Sequence, residues 1–284
     1  MLHSFSISTT TNSVTTTTTP KNLKPHHLSP SPDPSHYVQF RTTYRENLRY
    51  LKSIGVIDAN THRNKLPLPD ATTQLLATVN FFKSKCFADR DFAKLASRCP
   101  QLFSVDHFDP TDVEPVFQFL ARDLQASQQE SKGLVLYCPE LLLSDVQYFL
   151  KPTLNYLKEL GVSKLNVPSS LNAHLLNTRE EKLRSKTRFL RSIGFSREET
   201  ARFCARLPAV FGYSVESNLR PKTEFLKEEM KRSLEELKEF PQYFGFSLEK
   251  KIMPRHFHLK KRNVVVKLNR MLVWSDEKFY AKWK

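Results

Sequence analysis

The stretch Leu207-Pro-Ala-Val-Phe211, followed by Leu219-Arg-Pro-Lys-Thr-Glu-Phe-Leu226, decides the fold because both of its halves recur along the chain. The first half has a copy in the same register, since Arg206-Leu-Pro-Ala-Val-Phe211 matches Arg98-Cys-Pro-Gln-Leu-Phe103. A short pattern that returns at a regular spacing is the signature of stacked supersecondary units. The sequence therefore predicts a repeat protein.

The second half of the pattern recurs more widely, and its Pro, or the residue that replaces it, marks each copy. The markers are Glu46, Ala77, Pro115, Pro152, Ser185, Pro221 and Pro254. They are separated by about 35 residues, which leaves room for two helices and a turn. Gly is scarce at 6 residues, which disfavours a sheet with tight turns. The predicted fold class is all-α, a helical-repeat solenoid.

Each unit can be interpreted helix by helix. Pro152 suits the first turn of a helix, where its missing N–H would have no partner. Gly161 and Gly194 are predicted to follow the ends of two such helices in the left-handed conformation. Ser196-Arg-Glu-Glu199 is a capping box for a second helix, which stops before Leu207-Pro208. The aromatic and Leu residues that follow each marker are predicted to form the core.

The charge of the chain indicates its class of partner. The formal net charge is +15, from 44 basic and 29 acidic side chains. Such an excess repels itself unless an anion neutralises it, and nucleic acid is the commonest anionic partner. No apolar stretch approaches the roughly 20 residues that span a bilayer, so no membrane partner is predicted.

Catalytic and metal-binding patterns are missing from the sequence. It contains no Gly-rich phosphate loop and no H-E-x-x-H. The Cys residues form no C-x-x-C and have no His at zinc-finger spacing, and Cys99 and Cys138, each before a Pro, are predicted to be buried packing residues. We therefore expect a binding protein rather than an enzyme, with no cofactor and no metal.

The N-terminal region resembles a targeting segment. Residues 1–35 contain 15 Ser or Thr, and the first acidic residue is Asp33. Mitochondrial leaders are typically Arg-rich, but the first Arg is Arg41, so a chloroplast address is favoured over a mitochondrial one. The predicted organisation is a transit peptide and disordered linker over 1–36, a solenoid over 37–262 and a basic C-terminal helix or tail over 263–284.

The repeated pattern resembles the mTERF family, the mitochondrial transcription termination factor proteins that are numerous in plant organelles. The copies that carry the resemblance are Cys138-Pro-Glu-Leu-Leu142 with Leu150–Leu157, Leu207–Phe211 with Leu219–Leu226, and Phe240–Ser247 with Lys251–His256. The last of these, with Leu268-Asn-Arg-Met-Leu272, is similar to the end of plant members. The chain departs from the family pattern at Glu46, Ala77 and Ser185, where the second Pro is missing.

The resemblance implies a curved superhelix whose repeats each contain two α-helices and a short 3₁₀ turn. It also implies nucleic-acid binding along a basic groove, an organellar location and a role in transcription termination or gene expression. Some plant members are associated with organellar RNA and intron splicing.

Basic side chains recur on the marker helices, and stacked repeats would align them into a stripe that can follow a phosphate backbone. From Glu249 to Lys284 there are eleven Lys or Arg and three Asp or Glu, and the cluster around Arg262 lacks acidic neighbours at helical spacing. The candidate nucleic-acid-binding residues are Arg184, Lys186, Arg188, Arg220, Lys222, Arg255, Lys260, Lys261 and Arg262.

Three functions remain open from the sequence. The first is binding of double-stranded organellar DNA by a monomer that terminates or regulates chloroplast transcription. The second is binding of RNA for intron splicing or transcript maturation, which should use exposed aromatic side chains for base stacking. The third is a protein-interaction scaffold like other helical repeats.

Overall fold

The structure, a computed structural model, describes residues 44–104 and 108–284. Within these ranges every regular element is helical, and there is no β-strand, which confirms the all-α prediction. The predicted transit peptide and linker, and the predicted start of the solenoid at residue 37, lie outside the described residues. The α-helices are α1 (Tyr44–Ser53), α2 (Pro69–Ser84), α3 (Asp89–Arg98), α4 (Glu114–Arg122), α5 (Gln128–Tyr137), α6 (Lys151–Glu159), α7 (Ser170–Leu176), α8 (Glu180–Ser192), α9 (Arg197–Arg206), α10 (Arg220–Glu224), α11 (Glu235–Glu239), α12 (Met253–Lys260), α13 (Leu268–Val273) and α14 (Asp276–Lys282).

Helices pack against their neighbours in the array. The first helices of successive repeats meet, as α6 and α8 do, and so do the second helices, as in the contacts of α3 with α5 and of α5 with α7. Within a repeat the two helices also touch, as in α8 and α9. This nearest-neighbour packing is that of a helical-repeat solenoid, as predicted.

A short 3₁₀ turn follows the second helix in four repeats. Each such turn begins at the Pro that the sequence places after the helix. The residue before Pro avoids the α conformation, so the helix must stop there. The 3₁₀ turns are Pro100–Phe103, Pro139–Leu143, Pro208–Gly212 and Pro241–Gly245.

Three marker prolines are the second residue of an α-helix. In each case a wider, π-type helical turn comes directly before that α-helix. The turns are Val146–Leu150, Val215–Leu219 and Leu248–Ile252, and the prolines that follow are Pro152, Pro221 and Pro254. A Pro ring clashes with the carbonyl four residues earlier, and the wider turn relieves that clash. Where Ser185 replaces the Pro, α8 is α-helical throughout. The Pro is thus in the first turn of the α-helix, as predicted, but the chain is already helical before it.

The predicted helix ends are confirmed. Gly55, Gly161 and Gly194 follow α1, α6 and α8 with φ of +76°, +77° and +116°. The capping box of α9 is present, since the Glu199 N–H donates to Ser196 Oγ at 3.1 Å and the Ser196 N–H donates to Glu199 Oε2 at 2.8 Å.

The core contains the residues that the repeat pattern predicts. Leu157 and Leu190, at the fifth position after their markers, are completely buried, and Cys99 and Cys138 are 1% exposed. Burial and the neighbouring Glu140 carboxylate raise the pKa of the Cys138 thiol to about 11, so it is protonated at neutral pH. The predicted C-terminal segment 263–284 forms α13 and α14, which bury Leu268, Met271, Leu272 and Phe279.

Candidate nucleic-acid interface

One position of the repeat, directly after the marker, faces the interior. Thr153 is completely buried there, and the basic residues at the same position are Lys186, Lys222 and Arg255. Lys222 is 6% exposed, Arg255 is 1% exposed and Lys186 is half-buried. Sequence reasoning assigned these three residues to the nucleic-acid surface, but the structure places two of them inside the array.

Lys222 joins two parts of one repeat. Its Nζ donates to Asn218 Oδ1 at 3.1 Å and to the Phe244 carbonyl at 2.7 Å. The Tyr243 hydroxyl donates to the Lys222 carbonyl at 2.9 Å. Burial lowers the pKa of the Lys222 ammonium. This side chain holds the turn after α11 against α10 and is not available to a phosphate.

Arg255 holds the last two helices on α12. Its guanidinium donates to the carbonyls of Met271, at 2.6 Å, and Trp274, at 2.8 Å, and forms an ion pair with Asp276. It also lies 4.5 Å from the centroid of the Phe279 ring. The acidic partner comes from α14, which helical spacing around α12 could not reveal. Arg255, like Lys222, is therefore left out of the candidate interface.

The opposite face of the first helices is exposed and carries the accessible cations. In α8 this face presents Arg184, Arg188 and Arg191, spaced by four and three residues, and only Arg184 has an acidic partner, Glu180 of the preceding turn. On the neighbouring first helices the same face includes both signs of charge. Its basic members there are Lys151, Lys158, Arg220, Lys227, Lys260 and Lys261.

Four arginines line one cleft between repeats. We call it the arginine cleft; it has a volume of about 510 Å³ and lies between α6, α8 and the start of α9. Its lining residues are Tyr156, Glu159, Leu160, Arg184, Thr187, Arg188, Arg191, Arg197, Thr200 and Ala201. Arg184 and Arg188 belong to the predicted set, and the fold adds Arg191 and Arg197 to them.

The four arginines differ in how firmly they are held. Arg184 pairs with Glu180 in its own helix at 2.5 Å and lies 4.2 Å from the centroid of the Tyr156 ring. The Glu180 carboxylate raises the pKa of Arg184 further, so this group is always charged. Arg188, Arg191 and Arg197 have no hydrogen-bond or ion-pair partner among the described residues. Their N–H groups are open to an anion.

An equivalent cleft two repeats earlier shows that the fold does not require these arginines. It lies between α2, α4 and α5 and has a volume of about 270 Å³. Aligned on the markers Pro115 and Ser185 and on the capping boxes of α5 and α9, four positions of the two clefts correspond. The residues of the earlier cleft at those positions are Glu114, Gln118, Ala121 and Gln128, where the arginine cleft has Arg184, Arg188, Arg191 and Arg197. The same architecture therefore forms with an almost neutral lining.

The remaining predicted residues lie outside the cleft and are partly engaged. Arg220 makes two hydrogen bonds to Glu216, at 2.8 and 3.0 Å. Lys260 pairs with Glu229 at 2.7 Å, and Arg262 donates to the His258 carbonyl at 3.2 Å. Lys261 is exposed. The densest basic cluster in the sequence is therefore less available than the arginines of α8.

Sequence reasoning missed Arg197, because it considered only the marker helices. Arg197 is the first residue of the second helix, directly after the capping residue Ser196. The contrast between Arg197 and Gln128, which follows the capping residue Ser127, was a signal that could have found it.

The described residues contain neither a membrane-spanning helix nor a cluster of metal ligands. None of their helices is both long and apolar enough to span a membrane. None of their His, Cys, Asp and Glu side chains form a group of three or more that could hold a metal ion.

Comparison with known proteins identifies a family and a relative. The model of the mTERF family matches residues 41–280. A stretch of 98 residues is 33% identical to the chloroplastic transcription termination factor MTERF2 of Arabidopsis thaliana. That stretch is 34% of this chain and only 15% of the length of that relative.

Proposed function

The chain belongs to the mTERF family, and on that premise we propose that it binds nucleic acid through the arginine cleft and thereby controls transcription in an organelle. The observation that carries the proposal is the set of three unpaired arginines in a cleft whose counterpart two repeats earlier is almost neutral. Three unpaired guanidinium groups repel one another unless an anion lies between them. Phosphate is the anion that guanidinium groups recognise best, because they can donate to it bidentately.

We propose double-stranded DNA as the nucleic acid. Cations on the exposed face of neighbouring first helices, such as Lys151 and Lys158 before the cleft and Lys227 after it, would contact phosphates on either side. Few aromatic side chains of the described residues are exposed, and buried ones such as Phe189 and Phe203 cannot stack on unpaired bases. Contacts to the backbone of a duplex need no such stacking.

The test is a salt titration of duplex binding. We expect the logarithm of the affinity to fall linearly with the logarithm of the salt concentration. The variant Arg188→Gln/Arg191→Ala/Arg197→Gln gives the three unpaired positions of the cleft the residues of its counterpart. Loss of three phosphate contacts should lower the slope by about three and weaken binding to all sequences. Fluorescence anisotropy with a labelled duplex measures both quantities.

The matched control removes the same charge elsewhere. Arg45, Arg49 and Arg90 are exposed and lie on α1 and α3. The variant Arg45→Gln/Arg49→Gln/Arg90→Gln should keep a slope close to that of the unaltered chain. Equal losses in the two triple variants would mean that binding follows net charge alone and would contradict the assignment of the cleft. Binding that does not respond to salt would contradict the proposal as a whole.

We propose the chloroplast as the location, with the mitochondrion as the alternative. The Arabidopsis relative is a chloroplastic protein, and the Ser- and Thr-rich start of this chain is of the type found in transit peptides. A fusion of the full chain to a fluorescent protein should colocalise with chlorophyll. Colocalisation with a mitochondrial stain would support the alternative and refute this assignment.

Single-stranded RNA is a second candidate, and one observation favours it. Tyr148, in the turn that leads into α6, is 89% exposed, and its side chain has no partner among the described residues. An exposed aromatic side chain beside a basic residue such as Lys151 is suited to stacking on an unpaired base. If RNA is the ligand, Tyr148→Ala should weaken single-stranded RNA binding by about tenfold and leave duplex DNA binding unchanged.

We propose further that the chain is a binding protein and has no catalytic activity of its own. A monomer provides one arginine cleft, and phosphate contacts at that cleft need no bond to be broken. A protein-interaction scaffold is the less favoured function, because a nucleic-acid backbone supplies a continuous run of phosphates to the arginines and to the neighbouring cations, which a protein partner does only where it is strongly acidic.

A further inference from the structure

One carboxylate stands among the cations of the arginine cleft. Glu159 is the last residue of α6 and lines the cleft beside Arg188 and Arg191. The surrounding arginines favour a carboxylate here in the unbound chain, but two effects oppose it. The C-terminal end of a helix carries partial negative charge, and a carboxylate repels the phosphates that the arginines attract.

Glu159 is also unpaired. It makes no hydrogen bond and no ion pair within the described part of the chain, although Arg184 is near enough to feel its charge. The partner of Arg184 is Glu180. Both oxygens of Glu159 are therefore open to a ligand, and a carboxylate can only accept hydrogen bonds.

The fold does not explain a carboxylate at this position. Glu159 stands seven residues after its marker, a position that is exposed throughout the array and carries acidic, basic and Ser residues. The equivalent residues of other repeats are Arg122, Ser192, Glu228 and Lys261. A neutral residue fits the same exposed position, as Ser192 does in the next repeat, and would not repel phosphate.

On the basis of the proposed function, we infer that Glu159 is a specificity-determining residue, which accepts a hydrogen bond from a donor on the nucleic acid and disfavours any ligand that lacks one. Two nucleic-acid donors have this chemistry. A cytosine amino group at a base edge is a known partner of Glu, and a ribose 2′-hydroxyl can also donate. The arginines attract every phosphate backbone, and the carboxylate then selects among them.

The experiment compares Glu159→Gln with Glu228→Gln. Both substitutions remove one negative charge from an exposed residue at the same repeat position, but Glu228 lies outside the cleft. Binding is measured on a randomised pool of DNA duplexes and on the same pool as RNA duplexes. We expect Glu159→Gln to raise affinity for the unselected DNA pool by about threefold to tenfold, the effect of removing one nearby like charge, and Glu228→Gln to change it less than twofold.

Sequencing of the bound fraction identifies the donor. A cytosine preference of the unaltered chain that Glu159→Gln abolishes assigns the contact to the base edge. A preference for RNA that the same variant abolishes assigns it to the 2′-hydroxyl. The inference is overturned if both variants select the same sequences and the same sugar as the unaltered chain, or if Glu159→Gln weakens binding to the pool. The proposed function fails separately, if the unaltered chain binds neither pool in a salt-dependent manner.

Discussion

At the scale of single residues, the clearest regularity is a left-handed residue after the first helix of each repeat. Three repeats have Gly there. The remaining repeats place a residue with a side chain in the same conformation, and these residues are Cys86, Gln125, Lys231 and Asn263, with φ between +53° and +69°. The left-handed conformation costs a residue with a side chain about 1 kcal/mol, and Asn less. Each of these positions is therefore strained by an amount that Gly would remove.

Lys231→Gly should stabilise the chain. Lys231 is exposed and has φ of +53°, and no hydrogen bond of its side chain is present in the described part. Gly relieves the backbone strain at this position, but it also gains more freedom in the unfolded chain, which opposes the effect. The free energy of unfolding should rise by about 0.5–1 kcal/mol as the net result. Urea denaturation followed by circular dichroism measures the change.

Gly161→Ala is the reverse control. A Cβ at Gly161 would meet only the Ala205 Cβ at 3.7 Å, an ordinary contact, so any loss must come from the backbone with its φ of +77°. We expect a loss of about 1 kcal/mol. Destabilisation by Lys231→Gly would contradict the assignment of strain to these positions.

The same scale shows why the site was only partly predictable from the sequence. Lys222 and Arg255 occupy the same repeat position as Thr153, and that position is buried. Comparing this position across the aligned repeats would have placed both side chains inside the array. Arg184 and Arg188 could be found because they lie on a marker helix. Arg197 could not be joined to them from spacing, because it belongs to another helix and only the packing of α9 against α8 brings it into the cleft.

At the scale of elements, an Arg at the end of one second helix caps the second helix of the next repeat. Arg98, the last residue of α3, donates to the Tyr137 carbonyl at the end of α5 at 2.8 Å. Arg206, the last residue of α9, donates to the carbonyls of Lys238 and Glu239 at the end of α11, at 2.8 and 2.6 Å. The last carbonyls of a helix have no partner within it, and a cation there also interacts favourably with the helix dipole.

Arg206→Ala should weaken the joint between these two repeats. Two charge-assisted hydrogen bonds would be lost from an exposed site, so we expect the free energy of unfolding to fall by about 1–2 kcal/mol. Arg202→Ala removes the same charge from an exposed residue of the same helix that has no hydrogen-bond partner in the described part, and should change stability by less than about 0.5 kcal/mol. Thermal unfolding of both variants measures the difference, and equal effects would show that the joint does not depend on this cap.

The elements were largely predictable, and the exceptions have a local cause. The helix ends at Gly161 and Gly194 and the capping box at Ser196 follow from the chemistry of single residues, which the sequence displays directly. The π-type turns before Pro152, Pro221 and Pro254 could not be read in the same way. They form because the chain is already helical when it reaches the Pro, and that depends on packing against the preceding repeat.

At the scale of the whole molecule, the array combines uniform packing with charge that is not uniform. Each repeat is built by the same contacts, so the fold tolerates almost any residue on the exposed face of the first helices. The sequence predicted a continuous stripe of cations along that face. The structure instead places unpaired arginines at α8, and the exposed face of the neighbouring first helices carries both signs of charge. The array is therefore the scaffold that holds the arginine cleft.

Nearest-neighbour packing also determines how a defect should spread. Phe203 of α9 is 2% exposed and its ring lies 5.4 Å from that of Phe195 and 5.9 Å from that of Phe244, centroid to centroid. Phe203→Ala should cost about 3–5 kcal/mol, because it removes the ring that joins two repeats. In hydrogen exchange followed by mass spectrometry, protection should fall from α8 to α11 and persist in α2 and α3, which share no contact with Phe203.

The adjacent surface variant Arg202→Ala should leave the whole profile unchanged. Equal loss of protection in every helix would show that the array unfolds as one cooperative unit. A defect in any repeat would then disable the arginine cleft. Local loss of protection means instead that only defects near α8 disable the cleft.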